Sequence, residues 1–569
     1  MQQRVKQIIF QTVKEKFLSG DDNPSITGIK VEHPDNEEYG DYSTNVGLVL
    51  AAELKRPPFV IAEEIVEELK QNKQLQKISA KIEAVKPGFV NISIKDDHLI
   101  KEATGVINSG GGYGRVEAEE NKKYLVEYAH PNTHKKFHIG HLRNISIGEA
   151  VARILEFNGI DVVRANYQGD VGMHIAKCLW AVKNKLCGLS DVKDKSLDQR
   201  IEFLTRAYVK GSKAYQESEQ AKKEIGAINK KIYQQHDQEI NKLWEITRKW
   251  SLEYFERIYE RVYTEYDRYY FESEVAEPGK RIVQQQLEKG VFKKSAGAVI
   301  FPGEKYGLHN RVFISSEGNP TYEAKDMELG RLQFEEYDPD KIIHVVGPEQ
   351  GEYFKVIFKA LEKVFPNTTG KQHHLKYGLV NLKKGKMSSR EGNIVEGEWL
   401  IDEAKKRIID QYEDINQQAA EKIAVGAVKY SFLKVSPISE ISFDFKQSIS
   451  LQGNSGPYLQ YTYARCQSVL RKKQFLAVDK QQDLNKEEDS LMHWLYRFPE
   501  IVLSAKENLA PNLICNYLYE LAQRYNTFYN KHRILESDNE QLRLLLTAAT
   551  AQIVENGLQL LGIKTLQKM

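Results

Sequence analysis

Cysteine is almost missing from this chain: Cys178, Cys187, Cys466 and Cys515 are the four in 569 residues, and no two stand in C-x-x-C spacing. That excludes a disulfide framework, argues against a structural zinc site and fits a reducing compartment. No apolar run reaches the roughly 18 residues that a membrane helix needs. The opening MQQRVKQIIFQTVKEKF has the spacing of an amphipathic helix rather than of a signal peptide. Charge of one sign is missing too, since 81 basic residues face 79 acidic ones and leave +2. A nucleic-acid surface would therefore be a local patch. With 41% hydrophobic and 28% charged residues the composition is that of a globular protein with large cores. The expectation is a cytoplasmic chain of about three or four domains with no membrane partner.

The informative residues are concentrated in Tyr124–Gly148, YLVEYAHPNTHKKFHIGHLRNISIG. Tyr124, Leu125 and Val126 read as a strand and Pro131-Asn132 as a turn. Leu142, Ile145, Glu149, Ala152 and Leu155 then follow at helical spacing as far as Asn158-Gly159. A second strand, Asp161–Asn166, completes a βαβ unit, whose ligands bind beyond the carboxyl ends of the strands. His138-Ile139-Gly140-His141 falls where the first strand hands over to the helix. Free amides and the positive end of the helix dipole favour a phosphate there. Two imidazoles three residues apart share one face of the first turn and can stabilise developing charge without acting as bases. Alone, these four residues would favour an ordinary pair of surface or structural histidines; the strand-to-helix position together with a second motif far downstream reverses that preference.

Residues 1–115 read as a separate small α/β module, with helical patterns at 5–17, 44–55 and 58–71, a strand at 89–94 and a glycine linker at 110–114. Residues 116–439 read as an α/β domain built on a Rossmann-like parallel sheet. It is interrupted at 167–295 by a largely helical insertion, whose aromatic residues from Trp244 to Tyr270 read as helix packing rather than a base-stacking platform. The second half resumes with strands at 311–315 and 341–346 and a helix at 322–334. Residues 440–569 read as an all-α bundle with helices near 459–470, 491–504, 512–530 and 542–561. Tyr458, Tyr461, Tyr463, Arg465 and Arg471 fit an RNA face and helix packing equally well.

A second motif lies in the glycine-flanked basic loop 382–393, where Lys383, Lys384, Lys386 and Arg390 bring charge and Ser388 and Ser389 bring hydroxyl donors suited to polyphosphate. His138-Ile139-Gly140-His141 and Lys386-Met387-Ser388-Ser389-Arg390 together resemble the HIGH and KMSKS signatures of class I aminoacyl-tRNA synthetases. Glu127–Asn132, Phe137 and Leu142-Arg143-Asn144 are similar to the arginyl-tRNA synthetase family in particular. So are Gly40–Asn45 near the start, Asn454–Tyr461 with Ala464-Arg465, and Leu561-Gly562-Ile563 near the end.

The resemblance implies ATP-dependent attachment of L-arginine to tRNA(Arg) through an arginyl-adenylate, with Mg²⁺ accompanying ATP, an N-terminal tRNA-binding domain and an anticodon-binding bundle. It implies catalytic roles for His138, His141 and Lys386, with Gly140, Met387, Ser388, Ser389 and Arg390 completing the ATP site. Glu127 and Asp326 would face the guanidinium with Tyr322 beside them, while Asn132 and Gln350 hold the head group. No resident metal site is expected, and a monomer is. A five-donor cation does call for carboxylate acceptors, and Tyr322 and Asp326 share a helical face at i and i+4. The chain departs from the family pattern in places: Lys136 replaces a proline, and Val171 and His174 replace a tryptophan and a glutamine, which bears on the shape of the cleft, while KMSSR differs from KMSKS in its second basic residue, for which Arg390 would substitute. The competing readings are a class I lysine enzyme, a simple nucleotidylyltransferase and a noncatalytic RNA-binding relative.

Overall fold

A computed structural model of the chain describes every residue except 18–27, 117–120, 185–188, 190–191, 384–394, 413–414 and 479–483. Its central element is a parallel sheet of five strands: β1 (Lys123–Glu127), β2 (Asp161–Gln168), β3 (Arg268–Phe271), β4 (Lys341–Val346) and β5 (Gln372–Lys376). The spatial order is β5-β4-β1-β2-β3, and each neighbouring pair is parallel. The chain therefore moves outward from β1 to β3 and then returns to the far side of β1. That reversal leaves a crevice beyond the carboxyl ends of β1 and β4, where ligands of such sheets bind. The register sets Glu127 opposite His344 at the mouth of that crevice.

Helix α1 (Ile139–Phe157) links β1 to β2, α2 (Tyr322–Tyr337) precedes β4, and α3 (Gly351–Val364) links β4 to β5. Helix α1 is buried on nearly every side, with Ile145, Ala152 and Leu155 inaccessible. At Gly148 a Cβ would sit 2.3 Å from the Tyr128 ring, so only glycine lets this helix lie so close to the end of β1.

Two expectations change in this region. The 167–295 stretch is helical from Met173–Asn184 through Gln238–Arg261, but Arg268–Phe271 leaves it to become the edge strand β3 of the parallel sheet. The run Arg-Tyr-Tyr-Phe suits a pleated, half-buried surface, and Tyr270 is fully buried there. The strand read at 311–315 is Arg311–Ile314, but it pairs antiparallel with Ala298–Phe301 in a separate sheet of three strands. Ala296 and Gly297, both at positive φ, close the hairpin from Lys293–Ser295 to Ala298–Phe301.

The chain divides into two compact units: residues 1–114 with 465–503 and 520–556, and residues 115–464 with 504–519 and 557–569. The C-terminal helices are thus shared out between the two units. In the first unit an antiparallel sheet of four strands runs in the order Val31–Glu32, Tyr42–Thr44, Phe89–Ile94, Ser79–Val85. The helix Asp96–Ser109 and the strand Ser79–Val85 are additions to the sequence reading. The single helix expected at 491–504 is instead two, Lys486–Leu495 and Phe498–Asn508. Pro499, tolerated only in a first turn, starts the second of them.

Candidate active site

The site begins where β1 ends. Ala129 and His130 follow the strand at φ values of 81° and 50°, a left-handed pair that non-glycine residues adopt only when held. Asn144 of α1 does the holding. Its Oδ1 accepts from the Ala129 amide at 2.6 Å, and its Nδ2 donates to the Val345 carbonyl at 2.7 Å, stitching β1 to β4 at the crevice. The neighbouring Arg143 is fully buried and donates to four carbonyls, those of Gly378, Leu379, Pro437 and Ser439. It anchors α1 to the segments that lead into and out of residues 380–436.

His138 is the N-cap of α1. Its Nδ1 accepts from the Gly140 amide at 3.1 Å, and the Nδ1 of His141 accepts from the His138 amide at 3.1 Å. This reciprocal cap consumes Nδ1 of both rings as an acceptor, so each neutral ring carries its proton on Nε2. The rings stack with centroids 3.7 Å apart. Burial lowers both pKa values, with Lys135 adding to the effect at His138 and the His138 ring adding to it at His141, so both stay neutral donors. Phe137, edge-on to Phe255 and Tyr259 of the helix Gln238–Arg261, fixes the backbone just before them. The aromatic run of that helix is packing, as read: Trp250, Tyr254, Phe255 and Tyr259 are all buried.

A cavity of about 270 Å³ lies in the crevice, and its wall includes His138, His141, Glu127, Asp326, Gln350 and Gln333. The Glu127 carboxylate accepts from Nδ1 of His344 at 3.1 Å and from Nε2 of Gln333. Burial pushes Glu127 up, but the charge and hydrogen bond of His344 override it and hold the carboxyl below its usual range. His344 responds in the opposite sense: burial lowers it, and Glu127 more than restores it. Its Nε2 donates to Oε1 of Gln372 at 2.6 Å, so both ring nitrogens are donors. Among the described residues Asp326 has no such counter-ion. Burial raises its carboxyl to about 7, and the Tyr353 hydroxyl donating at 2.6 Å only partly offsets that.

Comparison with known proteins agrees along the whole chain. Residues 103–445 match the family described as tRNA synthetases class I (R), catalytic domain. Residues 3–94 match the arginyl tRNA synthetase N terminal domain, and 459–569 the DALR anticodon binding domain. An arginine–tRNA ligase of Fusobacterium nucleatum is 33% identical, covering 99% of this chain and 98% of its own length. The chain belongs to the arginyl-tRNA synthetases. A Borreliella burgdorferi arginine–tRNA ligase is 32% identical over 100% of this synthetase and 99% of its own length. The solved arginyl-tRNA synthetase of Thermus thermophilus superposes with a TM-score of 0.81 at 25% identity, covering 100% of both chains.

Not every residue named from the family pattern reaches the cavity of this synthetase. Tyr322, the first residue of α2, is 63% exposed and lies over Lys325 instead of against the cavity wall. Asn132 is bridged to Gly169, one strand over, and is also outside the wall. Lys386, Met387, Ser388, Ser389 and Arg390 lie outside the described residues. The flanks of that motif are placed: the Lys383 amide donates to the Phe443 carbonyl, and Val395 and Gly397 bond the backbone of Ile139 and Phe137. Lys136, one of the departures, pairs with Glu396 at 3.0 Å and Glu202 at 3.3 Å. Val171 is buried, and burial pushes His174 down to about 3, so it is neutral. Of the tyrosines left open on the C-terminal helices, Tyr463 is buried and the Tyr458 ring packs 5.9 Å from that of Tyr519.

His344, Gln333, Gln372 and Tyr353 were missed by sequence reasoning. A histidine inside the apolar run Lys341–Val346 was the available signal, since a polar residue in a buried parallel strand must have a partner.

Proposed function

We propose that this synthetase binds the guanidinium of arginine between Glu127 and Asp326 and the phosphates of ATP at the N-terminus of α1, where His138 and His141 stand. The family's reaction is ATP-dependent attachment of arginine to tRNA. The arginine carboxylate attacks the α-phosphate of ATP, pyrophosphate leaves, and a terminal hydroxyl of the tRNA, the 2′ in class I, then takes the arginyl group from the adenylate and releases AMP. The observation that carries the reading is one cavity walled by two neutral Nε2–H donors at a helix N-terminus, by the buried carboxylate of Glu127 and by the half-buried one of Asp326. As both Nδ1 atoms are occupied, the histidines act by donating hydrogen bonds to the phosphate as its charge grows, not by removing protons. Gln350, in the cavity wall, is assigned to the amino-acid head group; Asn132 and Tyr322, which lie outside that wall, are assigned no contact in this geometry. Lys386 with Met387, Ser388, Ser389 and Arg390 is assigned to the β and γ phosphates.

Among the described residues no group of three or more His, Cys, Asp or Glu is placed to hold a metal. Magnesium is assigned to the substrate, as the counter-ion of ATP. No described helix is long and apolar enough to cross a membrane. With the cysteine-poor composition this supports a cytoplasmic location, and a monomer is the assigned state. The test is charging of total tRNA with each of twenty amino acids in the presence of ATP and magnesium. Arginine alone is expected to be attached. Attachment of lysine instead would remove the pocket assignment and leave the fold, and tRNA binding without any attachment would favour a noncatalytic protein.

A further inference from the structure

Four buried polar atoms of the cavity wall have no hydrogen-bond partner among the described residues: Gln333 Oε1, Gln372 Nε2, Tyr167 OH and His130 Nε2. A buried polar atom without a partner costs about 1–3 kcal/mol, so such a group in one cavity marks where a polar ligand completes the bonding. Gln333 is the informative one. It is fully buried on α2, seven residues after Asp326, and contributes to the same wall. A carboxylate can only accept, so the contact with Glu127 forces the Gln333 amide to turn Nε2 towards it and leaves Oε1 on the other side. The amide orientation is dictated by chemistry rather than by choice.

We propose that Gln333 is an arginine-specificity residue, holding the Glu127 carboxylate through Nε2 and accepting a guanidinium N–H at Oε1. The inference rests on the arginine pocket proposed above. Glu127 already receives one protein donor on each oxygen, which leaves it one further acceptor site per oxygen; a guanidinium carries five N–H donors, so additional acceptors around the carboxylate are called for. An ammonium, with its charge on one atom and three donors, does not span the carboxylate and the amide oxygen together. His344 and Gln372 stand behind Glu127 as positioning residues, fixing its other oxygen.

The test uses the full-length enzyme with L-arginine, ATP and tRNA. Gln333→Met keeps the size of the side chain and removes both polar ends. It is expected to raise the arginine KM by roughly 10- to 100-fold, the loss of a bond to a charged group, with the ATP KM unchanged. In a cycle with Glu127→Gln, the double variant should bind arginine more weakly than Glu127→Gln alone. An arginine KM within twofold of the wild type in Gln333→Met would overturn the proposal. So would a double variant equal to Glu127→Gln, since Gln333 would then act only through Glu127. If neither Glu127→Gln nor Asp326→Asn changes the arginine KM, the pocket itself is misassigned, which is a separate result. Should Gln333→Met not fold, Gln333→Asn retracts the amide by one methylene and must weaken arginine while sparing ATP.

Discussion

Two buried clusters in this protein pair a histidine with a carboxylate, one in each compact unit, and they are finished differently. In the first unit Asp41 accepts from the Ile94 amide at 2.6 Å, from His493 at 2.6 Å and from Tyr496 at 2.9 Å. Nearby, Glu500 accepts from the Gln2 amide, Tyr42 and His33, each at 2.7 Å. Every oxygen of both carboxylates has a protein partner. In the second unit the chain Gln333–Glu127–His344–Gln372 lines a cavity, yet Gln333 Oε1 and Gln372 Nε2 have no partner among the described residues. A closed network holds a fold together; an open one waits for a ligand. The same chemistry thus serves stability in one place and recognition in the other.

Substitutions should separate the two. The largest expected effect is at the phosphate end of the open site. His141→Ala should lower kcat for charging by roughly 10²–10³, the usual cost of losing one transition-state donor. The lost cap should cost only about 1 kcal/mol in stability. A variant that melts far earlier but charges normally when folded would erase the contrast.

Next comes the closed cluster. Asp41→Asn should destabilise the protein by about 1–3 kcal/mol, because the partly buried His493 imidazolium loses one of its two carboxylate partners and keeps only Asp489, while the arginine KM stays put. The effect is pH-dependent in a defined sense. Burial lowers His493, but the hydrogen bonds it donates to Asp41 and Asp489 raise it to about 10 from 6.5. A raised histidine contributes stability that is complete below pH 6.5 and is lost as pH climbs through about 10. Thermal melts of the wild type and Asp41→Asn should therefore differ most near pH 6.5 and converge towards pH 10.

The smallest effect belongs to Asp326, whose carboxyl is raised to about 7 by burial. Only the ionised form attracts a guanidinium, so the arginine KM should fall by up to about tenfold per unit as pH rises towards 7 and then level off. Asp326→Asn should flatten that profile. A slope that persists in the variant would assign the titration to another group.

The amino-acid pattern alone determined the local elements and their chemistry. Pro58–Gln71, Phe89–Ile94 and Lys341–Val346 are found with the boundaries read from periodicity and turn residues. His138 and His141 lie at a helix N-terminus because a strand, a Pro-Asn turn and an amphipathic run follow one another in a single short stretch, and such signals are local. What needed the tertiary structure was everything set by pairing at a distance. Arg268–Phe271 reads as part of the largely helical insertion at 167–295, but the sheet takes it as an edge strand, since strand partners carry no signal in a short aromatic run. His344 and Gln333 stand 217 and 206 residues from Glu127 in the chain. No spacing rule connects them. The parallel register of β1 and β4, and the packing of α2 over the crevice, bring a cation and an amide to the same carboxylate. Which polar atoms are left without a partner, and so available to a substrate, is decided only once that packing is complete.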